Sequence, residues 1–61
     1  MKKVIQQLLN EGDWVYLQLK NKYFYKCKII ELGEDSVTIV DRYSQVAVFS
    51  LDNIAQVGKW R

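Results

Sequence analysis

From Trp14 onward the apolar residues of this 61-residue chain return at nearly every second position, in short runs separated by turns. Successive side chains of a strand point to opposite faces, so a period of two predicts strands with one face turned to a core. In WVYLQLK, Val15, Leu17 and Leu19 face one way while Trp14, Tyr16, Gln18 and Lys20 face the other. A turn around Asn21 leads into YFYKCKIIEL, where Tyr23, Tyr25, Cys27 and Ile29 share a face opposite Phe24, Lys26 and Lys28. The adjacent Ile29 and Ile30 interrupt the alternation, as at a bulge or sharp bend. After the turn GED comes SVTIV, with Val37 and Ile39 inward; DRYS is a short turn, QVAVFS a fourth strand and NIAQV a short fifth. Between the last two, SLDN breaks the pattern with polar residues. A tight corner there would carry the chain off the fourth strand and start a fifth that pairs with the first.

The strands are preceded by KKVIQQLLN, in which Val4, Ile5, Leu8 and Leu9 recur at helical spacing and Lys2, Lys3, Gln6, Gln7 and Asn10 take the other face. Gly12 supplies a stop for this helix. The expectation is one domain over residues 1–61, with a helix at about 2–10, a barrel at about 13–57 and a short tail at 58–61. Its class is mainly β: an N-terminal helix followed by a five-stranded, strongly bent antiparallel small barrel.

So short a chain buries a smaller share of its surface than larger folds do, and its stability is expected to be marginal. With one cysteine and no histidine, neither a disulfide nor a Cys/His metal site can supplement it, and no metal or cofactor is expected. Association with copies of itself is the remaining route. No apolar run approaches the ~18 residues of a membrane span, and the two glutamines in VIQQLLNEG break any signal-peptide pattern after MKK. A cytoplasmic, reducing setting with no membrane partner is expected. The net charge of +2 is too small to diagnose nucleic-acid binding, so the placement of charge carries more information than its sum.

A helix followed by five strands with turns of these lengths resembles the Sm-like family (Sm, Lsm and Hfq proteins), over nearly the whole chain. LLNEGDWVYLQLKN is similar to that family's opening, with Asn21 at the Asn of its Asn-Gly turn and Lys22 at the usual Gly. YKCKI resembles the aromatic-x-Gly-x-aliphatic segment of the bent second strand, with Cys27 at the Gly. VFSLDNI resembles the corner motif, with Ser50 and Leu51 at its Arg-Gly pair, and neither that pair nor the Lys-His of the Hfq form is present. The resemblance implies a homo-oligomeric ring of six or seven subunits, in which Val46, Ala47, Val48 and Phe49 of one copy's fourth strand meet Ile54 and Val57 of the next copy's fifth. It also implies noncatalytic binding of single-stranded RNA, with Thr38 nearest the base-binding Asn of the third strand and Gln6 or Gln7 as candidates for the glutamine that Hfq uses on its helix face.

The residues themselves add further RNA-binding candidates. Lys20, Lys22, Lys26 and Lys28 lie in the first hairpin beside Tyr23, Phe24 and Tyr25, a mixture in which lysines meet phosphates and rings stack bases. The same residues equally describe a solvated strand face whose lysines protect an edge. Arg42 and Tyr43 in the DRYS turn, facing the pore region in Sm-like rings, could form a base platform, or Arg42 could pair with Asp41 in a plain charged turn. Cys27 has no histidine to activate it and reads as a small buried hydrophobe. The acids Glu31, Glu34, Asp35, Asp41 and Asp52 are scattered near turns without a partner at catalytic spacing, so no enzyme is expected. Trp14 and Tyr16 need cover, from the helix, a partner or a ligand, and Trp60, in a terminal cluster with Lys59 and Arg61, either packs on a neighbouring subunit or stacks a base, or frays as chain ends usually do. These aromatics motivate an alternative: an oligomeric protein-interaction or scaffold module on the same barrel with no nucleic-acid role.

Overall fold

The computed structural model describes residues 1–60, and Arg61 lies outside them. Helix α1 (Lys2–Glu11) leads into strands β1 (Val15–Leu19), β2 (Phe24–Leu32), β3 (Ser36–Asp41), β4 (Val46–Ser50) and β5 (Ile54–Lys59), with one 3-10 turn at Leu51–Asn53. The strands form one antiparallel sheet in the order β4-β3-β2-β1-β5. The fifth strand does pair with the first, and Tyr16 lies opposite both Lys26 on β2 and Gly58 on β5.

The alternation along the chain decides which residues fill the core. Val15, Leu17 and Leu19, Cys27 and Ile29, Val37 and Ile39, and Ile54 are buried, joined by Ile5 and Leu8 from α1. The helix packs against β2 and β5. Its apolar stripe centres on Ile5, Leu8 and Leu9; Val4, a quarter turn away, is 48% exposed rather than part of the packed stripe. Gly12 ends the helix at φ 72°, a left-handed conformation that glycine adopts without a Cβ clash, and its N–H donates to the Leu8 carbonyl.

Between Ile29 and Glu31 the β2–β3 register shifts, leaving Ile30 as the extra residue on the outside. The bend this allows is large. Tyr25 pairs with Leu17 near the start of β2, whereas Phe49 lies opposite Val37, which faces Leu32 at the far end of β2. Seven residues of flat strand would hold these neighbourhoods roughly 20 Å apart. The rings of Tyr25 and Phe49 are nevertheless 5.1 Å apart, both packed on the core.

The sheet therefore curls over on itself through side chains. Its two outer strands, β4 and β5, are not hydrogen-bonded to each other, so the expected barrel is an open, curled sheet. The SLDN corner spans this gap: Ser50 Oγ accepts from the Asp52 N–H, Leu51 N–H donates to Asp35, and Asn53 O accepts from Lys20 N–H. Leu51 does not need a glycine there, since Lys22 and Ser44 are the non-glycine residues at positive φ among the described residues.

Both of those residues sit at the same point of the same kind of turn. In the β1–β2 turn Lys22 N–H donates to Leu19 O and Leu19 N–H to Tyr23 O; in the β3–β4 turn Ser44 N–H donates to Asp41 O and Asp41 N–H to Gln45 O. Each is a three-residue hairpin loop ending in a left-handed residue, the position glycine usually fills. No helix of the described residues is long and apolar enough to cross a membrane.

Candidate nucleic-acid interface

The outward positions of β1, β2 and β5 gather Trp14 and Tyr16, Phe24, Lys26 and Lys28, and, just past the end of β5, Trp60. Strand β5 runs two residues beyond Val57, and Trp60 N–H donates to Trp14 O at 3.1 Å, extending the β1–β5 ladder by one rung. That rung brings both indoles near Lys26, whose Nζ lies 5.7 Å from the Trp14 ring centre and 5.1 Å from that of Trp60. Lys28 Nζ lies 4.9 Å from the Trp14 ring. An ammonium over an indole face is attracted by the ring quadrupole, by about 0.5–1 kcal/mol at exposed sites. These contacts order two long lysine side chains without neutralising them. Among the described residues the ion pair within bonding distance is Lys59 with Glu11, at the other side of β5.

Next to the lysines, Tyr16 and Phe24 form a tilted ring pair 6.3 Å apart. Tyr16 can lie flat because its neighbour on β5 is Gly58: a Cβ there would come within 2.7 Å of the Tyr16 ring. Tyr16, Gly58, Lys59 and Trp60 line a recess of about 480 Å³. Across Trp60 is a second cleft of about 460 Å³, walled by Phe24, Tyr25, Tyr43 and Trp60. Lys26, Arg42, Asp41 and Gln45 supply its polar groups. Trp60 is the ridge between the two.

Arg42 does not pair with Asp41 there. Its guanidinium carbon lies 5.1 Å from the Tyr43 ring centre, while one carboxylate oxygen of Asp41 accepts the N–H groups of Tyr43 (2.8 Å) and Gln45 (2.9 Å) and holds the turn.

The candidates from the sequence thus fall into separate places. Lys26, Lys28, Arg42 and Tyr43 meet on the aromatic face. Lys20 and Lys22 stand exposed in the β1–β2 turn. Gln6 donates to Asn10 at 3.0 Å and lines a groove with Lys2, Lys3 and the Leu32–Glu34 segment. Gln7 is exposed, and Thr38 sits half-buried on β3 between Glu31 and Val48.

Of the edge residues, Val46 and Val48 are each 63% exposed, Ala47, Phe49 and Val57 lean on the core, and Ile54 is inside it. Phe24 and Trp60 both join the platform; Trp60, read from the sequence as part of a short tail, continues the β5 alternation in phase with Gly58. Arg61, read with Lys59 and Trp60 as a terminal cluster, lies outside the described residues.

Cys27 is sealed beneath this face. Burial, with a smaller contribution from the Asp41 carboxylate, raises its thiol pKa from 9.0 to about 11. A thiol held protonated is a poor nucleophile. No group of three or more His, Cys, Asp or Glu that could hold a metal occurs among the described residues. No protein-family model matches the chain, and no curated protein matches it in sequence.

Proposed function

We propose that this chain is a noncatalytic, Sm-like ring-forming module that binds single-stranded RNA across the Trp14–Lys26–Lys28–Trp60 face. The observation that carries the reading is the closeness of Lys26 Nζ to both indoles, with Lys28 Nζ beside Trp14. It joins cations that have no ion pair among the described residues to half-buried and exposed rings. Single-stranded nucleic acids are held by that combination, phosphates on cations and bases on aromatic faces, with a base–ring stack worth roughly 1–3 kcal/mol. A protein-docking patch would favour aromatic area with few lysines, since lysine is depleted at interface cores.

Ring formation rests on the two free sheet edges, β4 and β5, and on the exposed Val46 and Val48 beside the first of them. Unprotected edges pair indiscriminately, whereas a closed ring satisfies each edge with a neighbour's. A ring also repeats the lysines of one chain around a closed surface and so multiplies a charge that is small per subunit.

The test is RNA binding by the purified assembly across a salt series, alongside native mass spectrometry with oligo-U and oligo-A. A closed hexamer or heptamer whose affinity falls steeply with salt, as counterion release demands, supports the reading. Lys26→Glu with Lys28→Glu is expected to abolish binding while the assembly persists. Salt-insensitive or undetectable binding by an intact ring, with capture of a protein partner through Trp14, would replace RNA binding with the scaffold reading.

A further inference from the structure

The cleft between Trp60 and the β3–β4 turn contains a carboxylate, which a purely electrostatic RNA site has no use for. Asp41 lies beside Lys26 and Arg42, where a negative charge repels phosphate. Its capping work engages one oxygen only: Oδ1 accepts both backbone bonds, from Tyr43 and Gln45. Oδ2 takes neither. The surrounding walls are rings, with Tyr43 70% and Phe24 60% exposed, Trp60 45% exposed, and the Arg42 guanidinium over the Tyr43 ring. A volume of about 460 Å³ admits a nucleobase.

We infer that this cleft is a base pocket selective for guanine, with the Asp41 carboxylate reading the base's Watson–Crick edge; the inference rests on the RNA-binding reading above. Flipped-out bases in single-stranded RNA are stacked on rings or guanidinium planes and hydrogen-bonded along that edge. A carboxylate can only accept. Guanine presents two adjacent, nearly parallel donors, N1–H and the N2 amino group, with no lone pair between them, so the free Oδ2 can accept from either or from both in a forked bond. Adenine offers N1 as an acceptor beside its amino group, cytosine offers N3, and uracil flanks its single N–H with two carbonyls; each would set a lone pair against Asp41. The Gln45 side chain, on the same wall, can accept from or donate to the remaining edge.

The experiment compares short U-rich RNAs that carry guanosine, adenosine or neither, for the wild type and for Asp41→Asn. The asparagine keeps a side-chain oxygen for the two backbone N–H groups, and unchanged thermal unfolding verifies the turn. The wild type is expected to bind the guanosine RNA about tenfold tighter than the other two, the size of one good base-edge contact. Asp41→Asn is expected to erase that preference while leaving binding to the U-only RNA at least as strong.

If Asp41 merely caps the turn, Asn raises affinity for every RNA alike by removing a negative charge, and the pocket assignment is overturned. Equal affinity of the wild type for all three RNAs overturns it too, with RNA binding left standing. No binding of any RNA at low salt removes the RNA reading itself. Titration of guanosine monophosphate against adenosine monophosphate, followed by the Trp60 indole and Gln45 amide resonances, reads the pocket independently of strand binding. Shifts at both sites with the guanosine nucleotide alone are expected, and equal responses to both overturn the assignment.

Discussion

On β1, Val15, Leu17 and Leu19 are at most 4% exposed, while Tyr16 between them and Trp14 just before the strand take the other face, Trp14 beneath two lysines. The two faces of the sheet follow one alternation and hold opposite chemistry. The inner face is built of branched aliphatics and a thiol from four strands and a helix, and no polar or charged residue is buried in it. The outer face brings together two tryptophans, a tyrosine, a phenylalanine and two lysines with no ion pair among the described residues. A solvated strand face needs only polar, β-favouring side chains. The outer composition exceeds what folding requires, and that excess is what points to a ligand.

Separate substitutions should break the two faces independently. Leu17→Ala removes the centre of the core and is expected to cost about 2–5 kcal/mol, a large share of what a domain of this size has. Circular dichroism should show a largely unfolded chain at modest temperature. Lys26→Gln and Lys28→Gln together remove the indole contacts and should cost no more than about 1–2 kcal/mol, leaving a cooperative melt but weak RNA binding. If the lysine variant unfolded as readily as Leu17→Ala, the outer face would be part of the scaffold and the contrast would collapse.

The second prediction concerns Cys27, a fully buried thiol on the inner face. Burial raises the Cys27 pKa from 9.0 to about 11, so the folded state holds this proton more tightly than the unfolded state does. The contribution to stability is complete below the unfolded value of about 9 and is lost as pH rises toward about 11, with a slope of up to about 1.4 kcal/mol per pH unit. Cys27→Val keeps the volume and removes the proton. Denaturant melts between pH 8 and about 11 should show a steeper loss for the wild type than for the valine variant. Equal slopes would mean that Cys27 reaches solvent and the inner face is less sealed than its burial indicates.

Most of the inner face was legible in the sequence, and much of the outer arrangement was not, for a physical reason. Burial along a strand is a local, two-residue rhythm, so Val15, Leu17, Val37 and Ile39 could be placed inward, and the Ile29–Ile30 doublet announced the bulge. The platform depends on partners far apart in the chain. Trp60 reaches Trp14 only because β5 pairs with β1 and continues to Lys59, and Tyr43 comes beside Phe24 because the β2–β3 register sets Cys27 opposite Asp41. Register and curvature are not local quantities. That is also why Gln6 and Thr38, grouped with the lysines by family resemblance, lie away from them, and why the gap between β4 and β5 could not be read beforehand.

A third substitution sharpens the comparison at a point where one face depends on a missing side chain. Gly58→Ala places a Cβ 2.7 Å from the far end of the Tyr16 ring. The ring can swing away, so the expected cost is only about 1 kcal/mol, at the low end for added volume at a packed position. The recess beside Trp60 and the Tyr16–Phe24 pair are lost with it. RNA affinity should fall severalfold at nearly constant stability, read by melting and by binding on one preparation. A core-sized loss of stability would place Tyr16 among the residues that hold the fold.

The smallest effect expected is a gain. Lys22 holds φ at 74° in the β1–β2 turn, and Ser44 holds 66° in the β3–β4 turn. A left-handed backbone costs an L-residue roughly 1–2 kcal/mol, whereas glycine adopts it freely but loses about 0.5–1 kcal/mol of chain entropy on folding. Lys22→Gly should therefore stabilise the protein by about 0.5–1 kcal/mol, raising Tm by roughly 2–8 °C for a domain of this size. Ser44→Gly should do the same, because its loop has the same hydrogen bonds. The two differ in what they do to the outer face. Lys22 stands apart from the aromatic cleft, so its replacement should leave RNA affinity within the change expected for one lost surface charge. Ser44 follows Arg42 and Tyr43 directly, and a glycine there loosens the turn that holds them in the cleft. A Ser44→Gly variant that melts higher but binds guanosine RNA more weakly would show that strain in this turn is kept for the site's sake; equal binding by both variants would show that it is not.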